Sequence, residues 1–214
     1  MALFLLILLI SIYCYLLGSI PTAVWYGRKF YGVDIRTLGS GNAGATNTFR
    51  VFGKKAGSIV LLIDAWKGYF ATAQAVILYK IGMVNLETCI TLQIIFGFLA
   101  VLGHLLPVFN HFKGGKGVAT LLGMVICLHP LAALLSILLF VIIFTLFHFV
   151  SLASIVGSFS FPILLLFETF GKEYPLMIIF GFFVTCLVLF THRKNINRIL
   201  KGTENRMYFI PKKQ

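Results

Sequence analysis

Charge is scarce in this chain, and negative charge scarcer still: 11% of its 214 residues are charged and only 6 are Asp or Glu. Soluble domains carry about a quarter charged residues and roughly half apolar ones. A chain that is 59% hydrophobic falls outside that class and belongs in lipid. Cysteine is sparse too. Cys14, Cys89, Cys127 and Cys186 stand singly in apolar stretches, with no CxxC pair and no histidine at ligand spacing, which leaves packing as their expected role. The first apolar stretch, Met1 to about Tyr26, lacks a basic n-region. Arg28 and Lys29 follow it instead, the pattern of a retained span and not of a cleaved signal peptide. Internal repeats, low-complexity tracts and linkers are absent, so residues 1–214 are expected to form a single membrane-embedded domain.

What is abundant is positive charge, +12 net. The basic residues lie beside apolar runs and are not interleaved with aromatics on a polar domain, so nucleic acid is not an expected partner. Membrane lipids and phosphorylated substrates are. About 20 apolar residues are needed to cross a bilayer as a helix, and open strands cannot cross lipid at all. The fold class expected is therefore all-α integral membrane with about seven transmembrane helices, at roughly 2–22, 56–79, 88–106, 117–129, 131–150, 152–170 and 174–191. The fourth is short, and its boundary with the fifth rests on His129-Pro130. With the N-terminus outside and the C-terminus cytoplasmic, 15 of the 18 Lys and Arg residues lie inside, Lys80 and Lys172 outside, and Lys67 within a span, as the positive-inside rule requires. In that topology the second, fourth and sixth helices present their positive dipole ends to the cytoplasmic face, where an anion would be welcome.

Four segments on that face could carry chemistry. The first is Gly39-Ser40-Gly41-Asn42-Ala43-Gly44-Ala45-Thr46-Asn47-Thr48-Phe49-Arg50. Glycine permits close backbone approach, so successive N–H groups can curl around phosphate oxygens. Ser40, Thr46 and Asn47 add polar groups, and Arg50 can hold a phosphate through two parallel hydrogen bonds. Gly39, Gly41 and Gly44 also match GxGxxG, but no βαβ unit surrounds them and no acidic residue follows at the right distance, so a dinucleotide site is rejected. A plain flexible loop is the alternative, and it leaves so dense a set of small polar residues ending in arginine unexplained.

The second segment runs from Gly103 to Thr120 and sets Lys113 and Lys116 among Gly114, Gly115 and Gly117 ahead of a helix, a setting suited to phosphate. Lys116 is followed by glycine, where a Walker A loop needs serine or threonine. The competing role for both lysines is a snorkelling anchor at the membrane edge. The third segment, Ser151-Leu152-Ala153-Ser154, opens the sixth span, with Ser151 as a natural N-cap and Ser154 within reach of an anion at the helix end. In the fourth, His192 and Asn195 stand three apart and would share one face of a continuing helix, suited to orienting a hydroxyl and accepting its proton. Asp64 and Lys67, three apart within a span, are expected to pair, since an isolated charge at mid-bilayer costs about 2.5–3.5 kcal/mol. His104 and His111 lack a third ligand nearby, so hydrogen-bonding roles are expected and no metal or cofactor is called for.

In order along the chain, GSGNAGATNTFR, GHLLPVFNHFKGGKGVAT, SLAS and HRKN resemble the bacterial acylphosphate:glycerol-3-phosphate acyltransferases, the PlsY type, and the resemblance runs to about Glu204. It implies transfer of a fatty acyl group from acyl phosphate to the 1-hydroxyl of glycerol 3-phosphate, giving 1-acylglycerol 3-phosphate and phosphate, at the cytoplasmic side of the bacterial inner membrane. By the same resemblance Ser40, Arg50, Lys116, His192 and Asn195 are the expected catalytic residues, with Gly41, Asn42, Thr46, Asn47 and Ser154 binding substrate. Glu204 matches a glutamate tied to structural integrity, and a monomer is expected. The chain also lacks HxxxxD, the signature of acyltransferases that use acyl-CoA or an acyl carrier. A rival of another class is a small transporter for phosphorylated solutes, which would place polar groups near the midplane; here they gather at one interface.

Overall fold

A computed structural model describes residues 1–167 and 175–208. Lys172, expected outside, and Lys212 and Lys213, among the basic residues expected inside, lie outside the described residues. The chain divides into two compact units, Met1–Leu128 and His129–Gln214. Among the described residues all regular structure is helical.

The first unit holds α1 (Ala2–Gly18), α2 (Thr22–Tyr31), α3 (Ala45–Lys80), α4 (Leu86–Leu105) and α5 (Val118–Leu128). The expected first span of 2–22 is interrupted: α1 and α2 are bent by 43°. Proline disfavours helix in the residue before it and has no N–H to continue the ladder, and Pro21 stands at this break as the residue preceding α2. The expected second span, 56–79, is the later part of the longer α3, whose ladder is interrupted at Gly53 with φ 84°. Thr46, Asn47 and Arg50 therefore belong to a helical first segment of α3 and not to a loop.

Packing in this unit is close because small residues face each other. Cys14, Ala71, Ala75, Cys89, Phe96 and Ala100 are at most 3% exposed and form one cluster between α1, α3 and α4, as expected of Cys14 and Cys89. Cys186, in contrast, is exposed. On α5, a Cβ at Gly123 would run into the Ala65 carbonyl of α3, so the two backbones approach as closely as small residues allow in membrane helices. A second cluster of Ala23, Val24, Ile35, Ala43, Ala45 and Val60 lies beneath the glycine segment.

The second unit holds α6 (Pro130–Phe147), α7 (Val150–Leu164), α8 (Pro175–Thr191) and α9 (Arg193–Leu200). The His129-Pro130 boundary is where α6 begins: His129 Nδ1 accepts from the Ala132 N–H at 3.1 Å, and Pro130 is the first helical residue, where its missing N–H is not needed. The Thr185 hydroxyl of α8 donates to the Ser158 carbonyl of α7 at 3.0 Å. Among the described residues, by length and composition, two helical segments, Leu86–Asn110 and Pro130–Phe147, can each cross a membrane, and four can if each bent pair is one span. α5, with 11 residues, extends only about 16 Å at a rise of ~1.5 Å per residue.

Candidate active site

In the first unit, the glycine segment is built on two anchors. Asp34 is the first. Its carboxylate accepts from the Arg36 backbone N–H at 3.0 Å, capping the 3-10 turn Ile35–Thr37, and pairs with Arg36 Nη2 at 2.7 Å and Arg28 Nη2 at 2.8 Å. The hydrogen bond from the Arg36 side chain is the main reason that its carboxyl stays well below the usual carboxylate range, and Arg36 is raised in return. Both arginines are thus engaged with this carboxylate.

Asn47 is the second anchor and is 1% exposed. Its Oδ1 accepts from the Ser40 N–H at 2.8 Å, and its Nδ2 donates to the carbonyls of Ile35 at 3.1 Å and Leu38 at 3.0 Å. One buried amide therefore ties the turn before Ser40 to the first segment of α3. Gly39 and Gly41 pass through it with φ of 59° and 72°, which side chains with a Cβ resist. Ser40 is left exposed at the crest, and Arg50 is exposed on α3 while Gly41, Asn42 and Thr46 line the same stretch. Asn47, expected among the groups that bind substrate, is thus occupied by loop backbone.

The Gly103–Thr120 segment reaches the same place from the other side. Asn110 and Pro107 organise its turn: the Asn110 N–H donates to the Pro107 carbonyl at 3.1 Å, as does Phe112 at 2.9 Å. The Gly115 N–H donates to the His104 carbonyl at 3.2 Å, and a Cβ at Gly115 would stand 3.1 Å from the Ala43 carbonyl. The two glycine-bearing segments therefore touch at Ala43 and Gly115, one residue from Lys116. Lys113 is exposed and Lys116 half-buried. Beneath them lies a buried polar cluster: Lys67 Nζ is 2.8 Å from Asp64 Oδ1, as the sequence led us to expect, and it also reaches the Ile20 carbonyl at 2.9 Å and His104 Nδ1 at 3.2 Å. The Thr22 hydroxyl donates to the same Asp64 oxygen at 2.8 Å.

In the second unit, the expected continuing helix at His192 is a break. α8 and α9 are bent by 62°, and His192 stands between them as the residue before α9. His192 is 3% exposed, and its Nδ1 lies 2.8 Å from the Val188 carbonyl. A carbonyl only accepts, so Nδ1 is the protonated nitrogen in that bond, and Nε2 is the basic one in the neutral ring. The Asn195 N–H donates to the His192 carbonyl at 2.8 Å, which keeps the two residues one turn apart.

Glu204 gathers three more of that unit's polar groups. It accepts from Asn195 Nδ2 at 2.6 Å, Ser151 Oγ at 2.8 Å and Arg198 Nε at 2.7 Å. Ser151 is therefore not the N-cap expected of it; Phe149 precedes α7, and the Ser151 hydroxyl is given to Glu204. Ser154 is buried, and its hydroxyl donates to the Val150 carbonyl at 2.8 Å, so it must rotate to donate elsewhere. Burial pushes the Glu204 carboxyl up, but the hydrogen bonds from Asn195, Arg198 and Ser151 and the charge on Arg198 outweigh it and hold it below its ordinary value.

A carboxyl lowered by folding stabilises the fold above its unfolded pKa, and that contribution disappears as pH falls through the folded pKa. Stability should accordingly drop on acidification below about pH 4.3, the ordinary glutamate value, and Glu204→Gln should flatten that dependence. At neutral pH the same substitution should cost about 1.5–3 kcal/mol, the scale of a hydrogen bond to a charged group. Thermal unfolding of both proteins across pH measures this, and parallel curves would contradict it.

Long apolar helices with a buried ion pair, and exposed Ser40 and Lys113 on glycine-rich backbone with Arg50 exposed on the helix that follows, define an integral membrane protein with the features of a phosphate-handling enzyme. A model of the glycerol-3-phosphate acyltransferase family matches residues 8–202, across both units. The glycerol-3-phosphate acyltransferase of Chlorobaculum parvum is 43% identical over 218 residues, covering 91% of this chain and 94% of that protein. The Enterococcus faecalis enzyme of the same name is 41% identical, covering 95% and 93%. The crystal structure of PlsY, an integral membrane glycerol 3-phosphate acyltransferase, in its glycerol 3-phosphate form superposes with a TM-score of 0.80 at 40% identity, covering 94% of this chain and 96% of that one. Its lysophosphatidic acid form gives 0.78, also at 40% identity, with 95% and 96% covered. The chain belongs to the glycerol-3-phosphate acyltransferase family.

Three features of the site were not legible from motifs: the Asn47 latch, the contact of His104 with Lys67, and the convergence on Glu204 of Ser151, Asn195 and Arg198. The one available signal was charge scarcity, because a lone glutamate in a basic stretch of so acid-poor a chain must have partners.

Proposed function

We propose that this protein takes its acyl group from acyl phosphate and delivers it to the 1-hydroxyl of glycerol 3-phosphate in the bacterial plasma membrane, with its motifs on the cytoplasmic side. As a member of its family it is an acyltransferase that converts glycerol 3-phosphate to lysophosphatidic acid in phospholipid synthesis. The observation that carries the choice of donor is the junction at Ala43 and Gly115. Two backbone segments suited to anions lie side by side, as two phosphate-bearing substrates require. The excess of basic residues beside the motifs supports the cytoplasmic sidedness. Counting α3, α5 and α7 as spans alongside the others gives seven, with the N-terminus outside.

In this reaction a C–O bond forms between the acceptor hydroxyl and the acyl carbon, and the bond from that carbon to the phosphate oxygen breaks. Ser40, Arg50 and Lys116, with the backbone of Gly41 and Asn42 and the Thr46 hydroxyl, would hold phosphate charge, which is strongest as an effect when donors are fixed in advance. Asn47 would fix that backbone. His192 and Asn195 would orient glycerol 3-phosphate, and Ser154 would contact it. The hydroxyl proton would leave to the substrate's own phosphate, with His192 binding and not abstracting. Purified full-length protein with glycerol 3-phosphate should yield lysophosphatidic acid and inorganic phosphate from acyl phosphate and nothing from acyl-CoA. Turnover of acyl-CoA alone would reverse the donor assignment. His192→Gln should raise KM about tenfold with kcat within about twofold, the signature of lost ground-state binding; a kcat reduced a hundredfold would make it the base.

A further inference from the structure

We propose that His104 is a positioning residue for Lys116, its ring serving as a neutral post that holds the Gly114-Gly115 backbone in place. This rests on the reading of Lys116 as a cation that holds substrate phosphate. His104 is 7% exposed at the end of α4, and its ring has two occupied edges. On one side Nδ1 faces Lys67 Nζ at 3.2 Å. An ammonium has three protons and no acceptor, and the other two directions of Lys67 are taken by the Ile20 carbonyl at 2.9 Å and Asp64 at 2.8 Å. Nδ1 must therefore accept, which makes His104 the neutral ring with its proton on Nε2. Asp64 is held in turn by Thr22, so the lysine cannot swing away.

On the other side, Nε2 abuts Gly115 so closely that a Cβ there would collide with it, and a Cβ at Gly114 would crowd the carbonyls of His104 and Leu105. The Gly115 N–H is tied to the His104 carbonyl at 3.2 Å. Lys116 follows at once, and Gly117, with φ 80°, turns the chain into α5. Lys116 is thus suspended between a post fixed by three buried groups and the start of a helix, and a shift at the post is passed to it directly.

His104→Asn separates this role from a purely structural one. The asparagine oxygen can still accept from Lys67, so thermal stability in detergent should be preserved, but the ring edge against Gly115 is gone. KM for whichever substrate Lys116→Met weakens should rise about tenfold, and the double variant should be no worse than Lys116→Met alone, because groups acting through one another are not additive. An unchanged KM in His104→Asn, or a double variant whose losses multiply, overturns the role of His104. If Lys116→Met leaves both KM values unchanged, the reading of Lys116 fails and the proposal with it. Should His104→Asn not fold, Gly115→Ala perturbs the same contact from the other side, and it should likewise raise KM and add nothing to Lys116→Met; an unchanged KM there is equally fatal.

Discussion

Replacing Lys67 with leucine is expected to cost about 3–5 kcal/mol of stability, the range for stripping one partner from a buried ion pair. Lys67 and Asp64 are each 1% exposed. Without the ammonium, the carboxylate keeps only the Thr22 hydroxyl at 2.8 Å, and the Ile20 carbonyl beside the α1–α2 break loses its charged donor and keeps the Thr22 N–H at 3.0 Å. Leucine supplies volume and no proton. Replacing both charged residues with leucine should cost markedly less than the sum of the two single changes, because no unpaired charge then remains. For a chain of this size each kcal/mol shifts Tm by roughly 2–4 °C, so the single variant should unfold about 6–20 °C below the parent in detergent. A Tm within error of the parent, or a double variant as poor as the sum of the singles, would remove this pair from the account of stability.

That pair shows what a sequence of this kind reveals. Asp64 and Lys67 are three apart on one helix, so their meeting follows from helix geometry alone and from the cost of charge in lipid. His104 is 37 residues from Lys67, and nothing but the packing of α4 on α3 brings them together. Glu204 and Ser151 are 53 apart and were equally hidden, which is why Ser151 read as an N-cap. The membrane class and the family were legible because composition and short-range motifs carry them. Helix boundaries were less so. The apolar run through 2–22 concealed a break because Ser19 and Pro21 interrupt the backbone without interrupting the hydrophobicity, and the helical start of α3 at Ala45 was hidden by glycines that read as loop. The HRKN stretch misled in the opposite sense: its residues suit a helix, yet the chain turns by 62° at His192.

Asn47→Leu should lower kcat/KM at least about 100-fold, the scale of a displacement of about 1 Å in a catalytic group, with a smaller loss of stability of about 2 kcal/mol from unmade hydrogen bonds. The asymmetry has a structural cause. The amide's three bonds end on Ile35, Leu38 and Ser40, and both Leu38 and Ser40 are exposed, so water can take over much of the bonding once the latch is gone. It cannot restore the conformation, because Gly39 and Gly41 have many other conformations open to them and the turn would spread over these. Amide hydrogen exchange distinguishes this role from direct substrate contact. Loss of the latch should abolish protection at Gly41 and Ser40 while leaving the later part of α3 protected, in the absence of any substrate. If Asn47 instead donated to a bound phosphate, exchange without substrate would be unchanged and only KM would rise. An acidic replacement sharpens the distinction: Asn47→Asp keeps an oxygen for the Ser40 N–H but turns a carboxylate toward the Ile35 and Leu38 carbonyls, so it should be as inactive as leucine despite its nearly identical shape.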